Sequence, residues 1–157
     1  MPDISIAEEH IDRLRGFDYI GVTINFIVHD GNGNILLQKR SKNCRDEIGR
    51  WDIGGGAVEF GETLDEAVIR EIREEYCTEP IKMELNKVFT ALRKHEGKQT
   101  HWIGINYTVL VDPDSVSIGE PHKVDELGWF GLKTLPSPMH SMFPVAHEIA
   151  IAQNILR

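Results

Sequence analysis

The chain has 157 residues, with 25 acidic against 17 basic side chains and a formal net charge of −8. At 41% hydrophobic and 27% charged residues it has the makeup of one soluble globular domain, long enough to bury roughly 68–70% of its unfolded surface. No apolar run approaches the ~20 residues of a membrane span, and the start, Met1-Pro2-Asp3-Ile4-Ser5, lacks the basic and apolar regions of a signal peptide. The acidic balance argues against a generic binder of nucleic-acid polymers. Cys44 and Cys77 form no CxxC, so neither a disulfide framework nor a cysteine zinc site is written here, and a cytoplasmic setting is expected. An anionic substrate would need an attraction other than net charge.

No repeat, low-complexity tract or Pro/Gly/Ser-rich linker divides the chain, so residues 1–157 are read as a single domain, with 1–17 as an extension. Ser5–Arg15 is expected to form a short helix with Ile11 and Leu14 on its inner side. Ile20, Val22, Ile24, Phe26 and Val28 then alternate with Gly21, Thr23, Asn25, Ile27 and His29, which predicts a strand with one buried face. The turn-rich run Asp30-Gly31-Asn32-Gly33-Asn34 leads into Ile35–Arg40, so these two strands should pair as a hairpin. Residues 41–50 are polar, 51–61 glycine-rich, and Thr63–Tyr76 reads as a helix. Strands are predicted at 81–92 and 100–111, turning at His95-Glu96-Gly97-Lys98, with Ile103, Ile105, Tyr107, Val109 and Val111 sharing one face. A loop with Pro113 and Pro121 precedes a short strand near Leu127–Phe130. Ser141 is expected to cap a last helix with Met142, Val145, Ala146, Ile149, Ala152 and Leu156 on one stripe. Hairpins with helices between and after them predict a mixed sheet covered by helices.

The helix at 63–76 breaks its own pattern. Leu64, Ala67, Val68 and Ile72 follow the spacing of a core-facing stripe, but the next positions on that stripe are Glu71 and Glu75. At about 100° per residue both fall within ~20° of Leu64's direction. Glu74 sits beside them. Three carboxylates thus cluster in the last turns of a helix, where the macrodipole disfavours negative charge and burial raises carboxylate pKa values. A solvated face of Glu–Arg ion pairs is the ordinary meaning of such a stretch. The alternative is a hard divalent cation held by the carboxylates.

Upstream, Gly54-Gly55-Gly56 is followed by no Gly-Lys-Ser/Thr, which excludes a nucleotide-triphosphatase phosphate loop, and its spacing fits no dinucleotide fingerprint. Taken as one unit, the segment has Gly56, five residues, Glu62, seven residues, then Arg70-Glu71-Ile72-Arg73-Glu74-Glu75. It resembles the signature of the Nudix hydrolases, G-x5-E-x7-R-E-U-x-E-E-x-G-U, with U a bulky aliphatic residue. Trp51–Ile53 resembles the strand that enters this motif, and Leu127–Phe130 with Leu135-Pro136 a strand near the end of such domains. The sequence departs from the pattern at Cys77 and Thr78, where the signature has Gly and an aliphatic residue, and at Gly54, where a proline is usual. The Cys77 change bears on how the helix ends, since a Cβ costs about 1 kcal/mol in a left-handed residue.

The resemblance implies a Nudix-type α/β/α sandwich and a Mg²⁺-dependent (or Mn²⁺-dependent) hydrolase. Such an enzyme cuts a pyrophosphate bond in a nucleoside diphosphate derivative, with a nucleoside triphosphate as the first expectation. It implies Glu71 and Glu75 as metal ligands with a backbone carbonyl of Gly55 or Gly56, and Glu74 as a further ligand or the general base. Glu62 and Arg70 would brace the glycine loop, and Glu120 is a candidate for a further acid from a distant loop. Lys39 and Arg40 are candidate phosphate contacts or simply a solvated strand end. Trp51, Trp102 and Trp129 are expected in the core. ADP-ribose or a nucleotide sugar as substrate, a non-catalytic nucleotide-sensing domain, and isoprenoid diphosphate isomerase chemistry are the alternatives. The last has no well-placed cysteine, since Cys44 lies in a polar loop and Cys77 at the helix end. A homodimer is a further expectation from the family.

Overall fold

The computed structural model describes residues 13–157. In chain order it has β1 (Gly21–His29), β2 (Ile35–Arg40), β3 (Trp51–Asp52), β4 (Gly54–Ala57), α1 (Leu64–Tyr76), β5 (Lys82–His95), β6 (Lys98–Leu110), β7 (Val124–Phe130) and α2 (Phe143–Ala152). The seven strands form one mixed sheet. β1 runs parallel to β6 from Gly21–Trp102 to His29–Leu110, and every other pairing between these strands is antiparallel.

The hairpin between β1 and β2 forms where the turn residues predict it. The Asp30 carboxylate accepts the amides of Asn32 (2.7 Å) and Asn34 (3.2 Å), while Gly31 and Gly33 adopt positive φ. The two strands are paired only at His29–Ile35. β4 then takes the β1 edge from Thr23 to Phe26, and β2 is flanked by β3 and β7. The sheet therefore splays between its β1 and β2 halves.

Two cores cover its faces. Ile24, Phe26, Val28, Ile105, Tyr107 and Val109 pack against Ala67, Val68, Ile72 and Tyr76 of α1. On the opposite face Ile27, Ile35, Leu37 and Trp51 pack against Phe143, Ala146, Ile149 and Ala150 of α2. Helix, sheet, helix is the sandwich expected. The buried apolar face of β1 starts at Ile24, and Ile20 and Val22 are exposed. The expected inner residue Leu14 is exposed, and residues 5–12 of the expected N-terminal helix lie outside the described residues. Among the described residues no helix is long and apolar enough to cross a membrane.

The termini of both helices show what the sequence pattern missed. Thr63 is the N-cap of α1, in a capping box with Glu66. Ser141 caps nothing with its side chain. Met142 is the N-cap of α2, its amide is taken by His140 Nδ1 at 3.0 Å, and the Ser141 amide donates to Glu47 at 2.9 Å. The buried stripe of α2 is Phe143, Ala146, Ile149 and Ala150, leaving Ala152 exposed.

Candidate active site

On α1 the residues that should complete an apolar stripe are carboxylates, and the structure buries them. Glu71 and Glu75 are each 9% exposed, whereas the side chain of Glu74 is 53% exposed. They fit because Gly54, Gly55 and Gly56 of β4 present no side chains. A Cβ on Gly56 would collide with the Glu71 carboxylate, and one on Gly54 would meet Phe26, Glu75 Oε2 and the Tyr76 hydroxyl. The Gly55 amide donates to Glu75 Oε2 at 3.3 Å. The helix then ends on Cys77 in the left-handed conformation (φ 54°), its amide bonded to the Arg73 carbonyl at 3.1 Å. A cysteine thus does there what a glycine does at lower cost.

A second segment closes the site. The amides of Ser117 and Gly119 donate to the carbonyls of Tyr76 and Glu75 at 3.0 and 2.9 Å, satisfying the open C-terminal end of α1. Gly119 lies so close to the Glu74 carbonyl that no side chain fits there. This docking delivers Glu120. Carboxylate oxygens of Glu71, Glu74 and Glu120 lie within 4.8 Å of one another, and Lys123 Nζ is 3.1 Å from Glu120.

Arg70 is the cation that holds this acidic end together. Its guanidinium donates to Glu62 through Nε (2.9 Å) and Nη2 (2.7 Å), to Glu71 at 2.7 Å, and to the Ala57 carbonyl at 3.1 Å. Bonding from Arg70 holds Glu62 down at about 2. Burial pushes Glu75 well above the usual carboxylate range, and the charges of Glu71 and Glu120 push it further. Burial also raises Glu71, against the pull of Arg70. An oxygen-only set, crowded with like charge and half-buried, fits a hard divalent cation.

From Glu75, Glu120 and Lys123 a cavity of about 470 Å³ runs through the splay of the sheet to the face that α2 leaves uncovered. Asn25 and Asn106, bonded at 2.7 Å, line it, with Phe89, Trp102, Val145 and Ala146. Trp102 is therefore a cavity residue, unlike Trp51, which is core. It stands on the β6 face opposite to Ile103 and Ile105, and its ring covers Gly16 and Gly21. Arg40 lines the cavity with its guanidinium 2.9 Å from Asp46, whereas Lys39 reaches Glu126 at 3.4 Å on the exposed surface. Asp52, on the wall, is pushed up to about 7 by burial. Gln38 is buried beside it, with Oε1 unpaired among the described residues. Cys44 is also on the wall, its thiol 3.3 Å from the Lys123 carbonyl.

Lys123, Gly119, Asp52 and Gln38 escape sequence reasoning. Gly119 directly before Glu120 carried a signal, a glycine where backbone meets backbone. For Asp52 and Gln38 a polar residue in a short strand gives no hint of which way it faces.

The family model for the NUDIX domain matches residues 20–149. The chain belongs to the Nudix hydrolase family. It is 31% identical to an ADP-ribose pyrophosphatase of Methanocaldococcus jannaschii over 83% of this chain and 73% of that protein. It is 35% identical to putative nudix hydrolase 1 of Caenorhabditis elegans over 48% of this chain, a stretch spanning only 20% of that protein. The solved MutT NUDIX hydrolase of Burkholderia pseudomallei superposes with a TM-score of 0.73 at 30% identity, over 83% of this chain and 97% of that one. This Nudix chain shares its overall fold with that solved structure.

Proposed function

We propose that this Nudix chain is a Mg²⁺-dependent pyrophosphohydrolase acting on a nucleoside diphosphate derivative, with a nucleoside triphosphate as the first substrate to expect. The observation that carries the proposal is the convergence of Glu71, Glu74 and Glu120 within 4.8 Å, with Glu120 and Glu75 also lining the cavity of about 470 Å³. Glu71 and Glu75, with the Gly55 carbonyl, would hold the ion, joined by Glu120. Bound Mg²⁺ would neutralise phosphate charge and lower the pKa of water. Glu74, exposed where Glu71 and Glu75 are buried, would take the proton from the attacking water. Arg70 and Glu62 keep the glycine strand against α1. Arg40 would contact phosphate from the cavity wall, and Asn25, Asn106 and Trp102 would contact the nucleoside. Mn²⁺ would substitute for Mg²⁺ on the same oxygen set.

The ADP-ribose pyrophosphatase among its relatives favours a second reading, ADP-ribose as substrate. Phosphate and pyrophosphate release from nucleoside triphosphates, ADP-ribose, nucleotide sugars and dinucleotide polyphosphates, with and without Mg²⁺, decides between them. Turnover should require the metal and fall by about 10²-fold or more in Glu75→Gln. Nucleotide binding without turnover on any of these compounds would overturn the hydrolase assignment and leave a sensing domain.

A further inference from the structure

The hydroxyl of Tyr76 has no use in the account above. Tyr76 is fully buried in the core under the sheet, its ring edge-on to Phe26 at 5.9 Å, and its hydroxyl is unpaired among the described residues. A buried polar group without a partner forfeits its hydration with nothing in return, and most such groups in native proteins find one. A phenylalanine would fill the same space without that cost.

What surrounds the hydroxyl indicates its use. Glu75 Oε2 and the Tyr76 hydroxyl each lie 2.5 Å from the point where a Cβ on Gly54 would stand, and so within twice that distance of each other. The position where this family usually carries a proline is open here, and two side-chain oxygens converge on it. Among the described residues Glu75 Oε2 has only the long 3.3 Å bond from Gly55, and Glu75 is not part of the cluster of Glu71, Glu74 and Glu120.

We propose that Tyr76 is a positioning residue for Glu75: when a divalent cation is bound, the carboxylate turns into the space left by Gly54 and accepts a hydrogen bond from the Tyr76 hydroxyl, which presents its other oxygen to the ion. A hydrogen-bonded partner behind a metal ligand fixes the ligand's orientation, and its loss typically costs 10- to 100-fold in metal affinity or activity. Gly54 belongs to the same device, because any side chain there would displace both oxygens. The inference rests on the assignment of Glu75 as a metal ligand.

The test is Mn²⁺ binding to the full chain without nucleotide, by calorimetry, together with thermal melting with and without the ion. Tyr76→Phe should weaken Mn²⁺ binding about 10-fold and shrink the melting-temperature gain that Mn²⁺ gives. The metal-free melting temperature should be unchanged or higher, because the ring stays and the unpaired hydroxyl is gone. Gly54→Ala should weaken Mn²⁺ binding with an intact Tyr76. Unchanged Mn²⁺ affinity in Tyr76→Phe overturns the proposal, and so does a lower melting temperature for its metal-free form, which would make the hydroxyl an ordinary structural partner. Glu75→Gln separates the two levels. If it loses Mn²⁺ while Tyr76→Phe keeps it, only the positioning role fails. If it too binds Mn²⁺ normally, the ligand assignment of Glu75 fails and the positioning role with it.

Discussion

The two faces of the sheet are closed in different ways. Under α1 the packing is continuous from Ile24 and Phe26 to Tyr76, and the carboxylates sit at its margin, held by glycines and by Arg70. Under α2 the packing stops short. The helix covers the β2 and β3 side, while Asn25, Asn106, Phe89 and Trp102 stay open to a cavity. On the proposed function, chemistry would be anchored to the closely packed face under α1 and recognition left to the face that a short helix fails to cover. The acidic groups meet at the α1 end, where Lys123 pairs with Glu120, while Arg40 stands on the cavity wall.

If that division holds, changes on the two faces should separate. The largest effect is expected from Arg70→Ala, which strips five hydrogen bonds from the half-buried acidic end and removes the cation that pairs with Glu71. Stability should fall by about 3 kcal/mol in chemical denaturation and turnover should fall with it, while Arg70→Lys, lacking the fork, should recover only part.

Asp52 on the cavity wall gives a pH signature. Its carboxyl is held at about 7 by burial, above its unfolded value of about 3.9. The folded state therefore keeps a proton that the unfolded state has lost, and the penalty from Asp52 grows as pH rises between these values and is constant above them. Melting with a chelator present should show stability falling from about pH 5 to pH 8, with Asp52→Asn removing on the order of 2 kcal/mol of that fall. An identical pH profile in the variant would show that Asp52 is hydrated and fully ionised.

On the recognition face, Trp102→Leu should raise KM about tenfold with kcat little changed, the pattern of a residue that binds ground and transition states alike. A matching loss in kcat would place Trp102 in the chemistry and break the division. The smallest effect is expected at the helix end, where Cys77→Gly should stabilise by up to about 1 kcal/mol in a melting experiment and leave turnover unchanged.

The acidic face was legible because its signal violates a rule: Glu71 and Glu75 stand where the 3.6-residue period demands apolar groups, and Gly54–Gly56 leave the room they need. The left-handed end of α1 was legible at Cys77 for a similar reason, a missing glycine. The cavity face gave no such contradiction. Trp102 reads as a core residue because an aromatic in an alternating strand usually is one, and only the shortness of α2 exposes it. Ser141 reads as a cap because its type is right, but Glu47, far away in sequence, takes its amide, and His140 serves the next one. A tertiary partner such as Glu47 leaves no local pattern. Glu120 lay between the two cases, a plausible acid whose position depends on Gly119 docking against the last carbonyls of α1.

The central claim is that the carboxylates at the end of α1 form one divalent-metal site. Crystals soaked in Mn²⁺ and measured at the manganese absorption edge test it most directly. The account predicts anomalous density between Glu71, Glu75 and Glu120, beside the Gly55 carbonyl, and its loss in Glu75→Gln. Density elsewhere on the surface, or none here at saturating Mn²⁺, would contradict it.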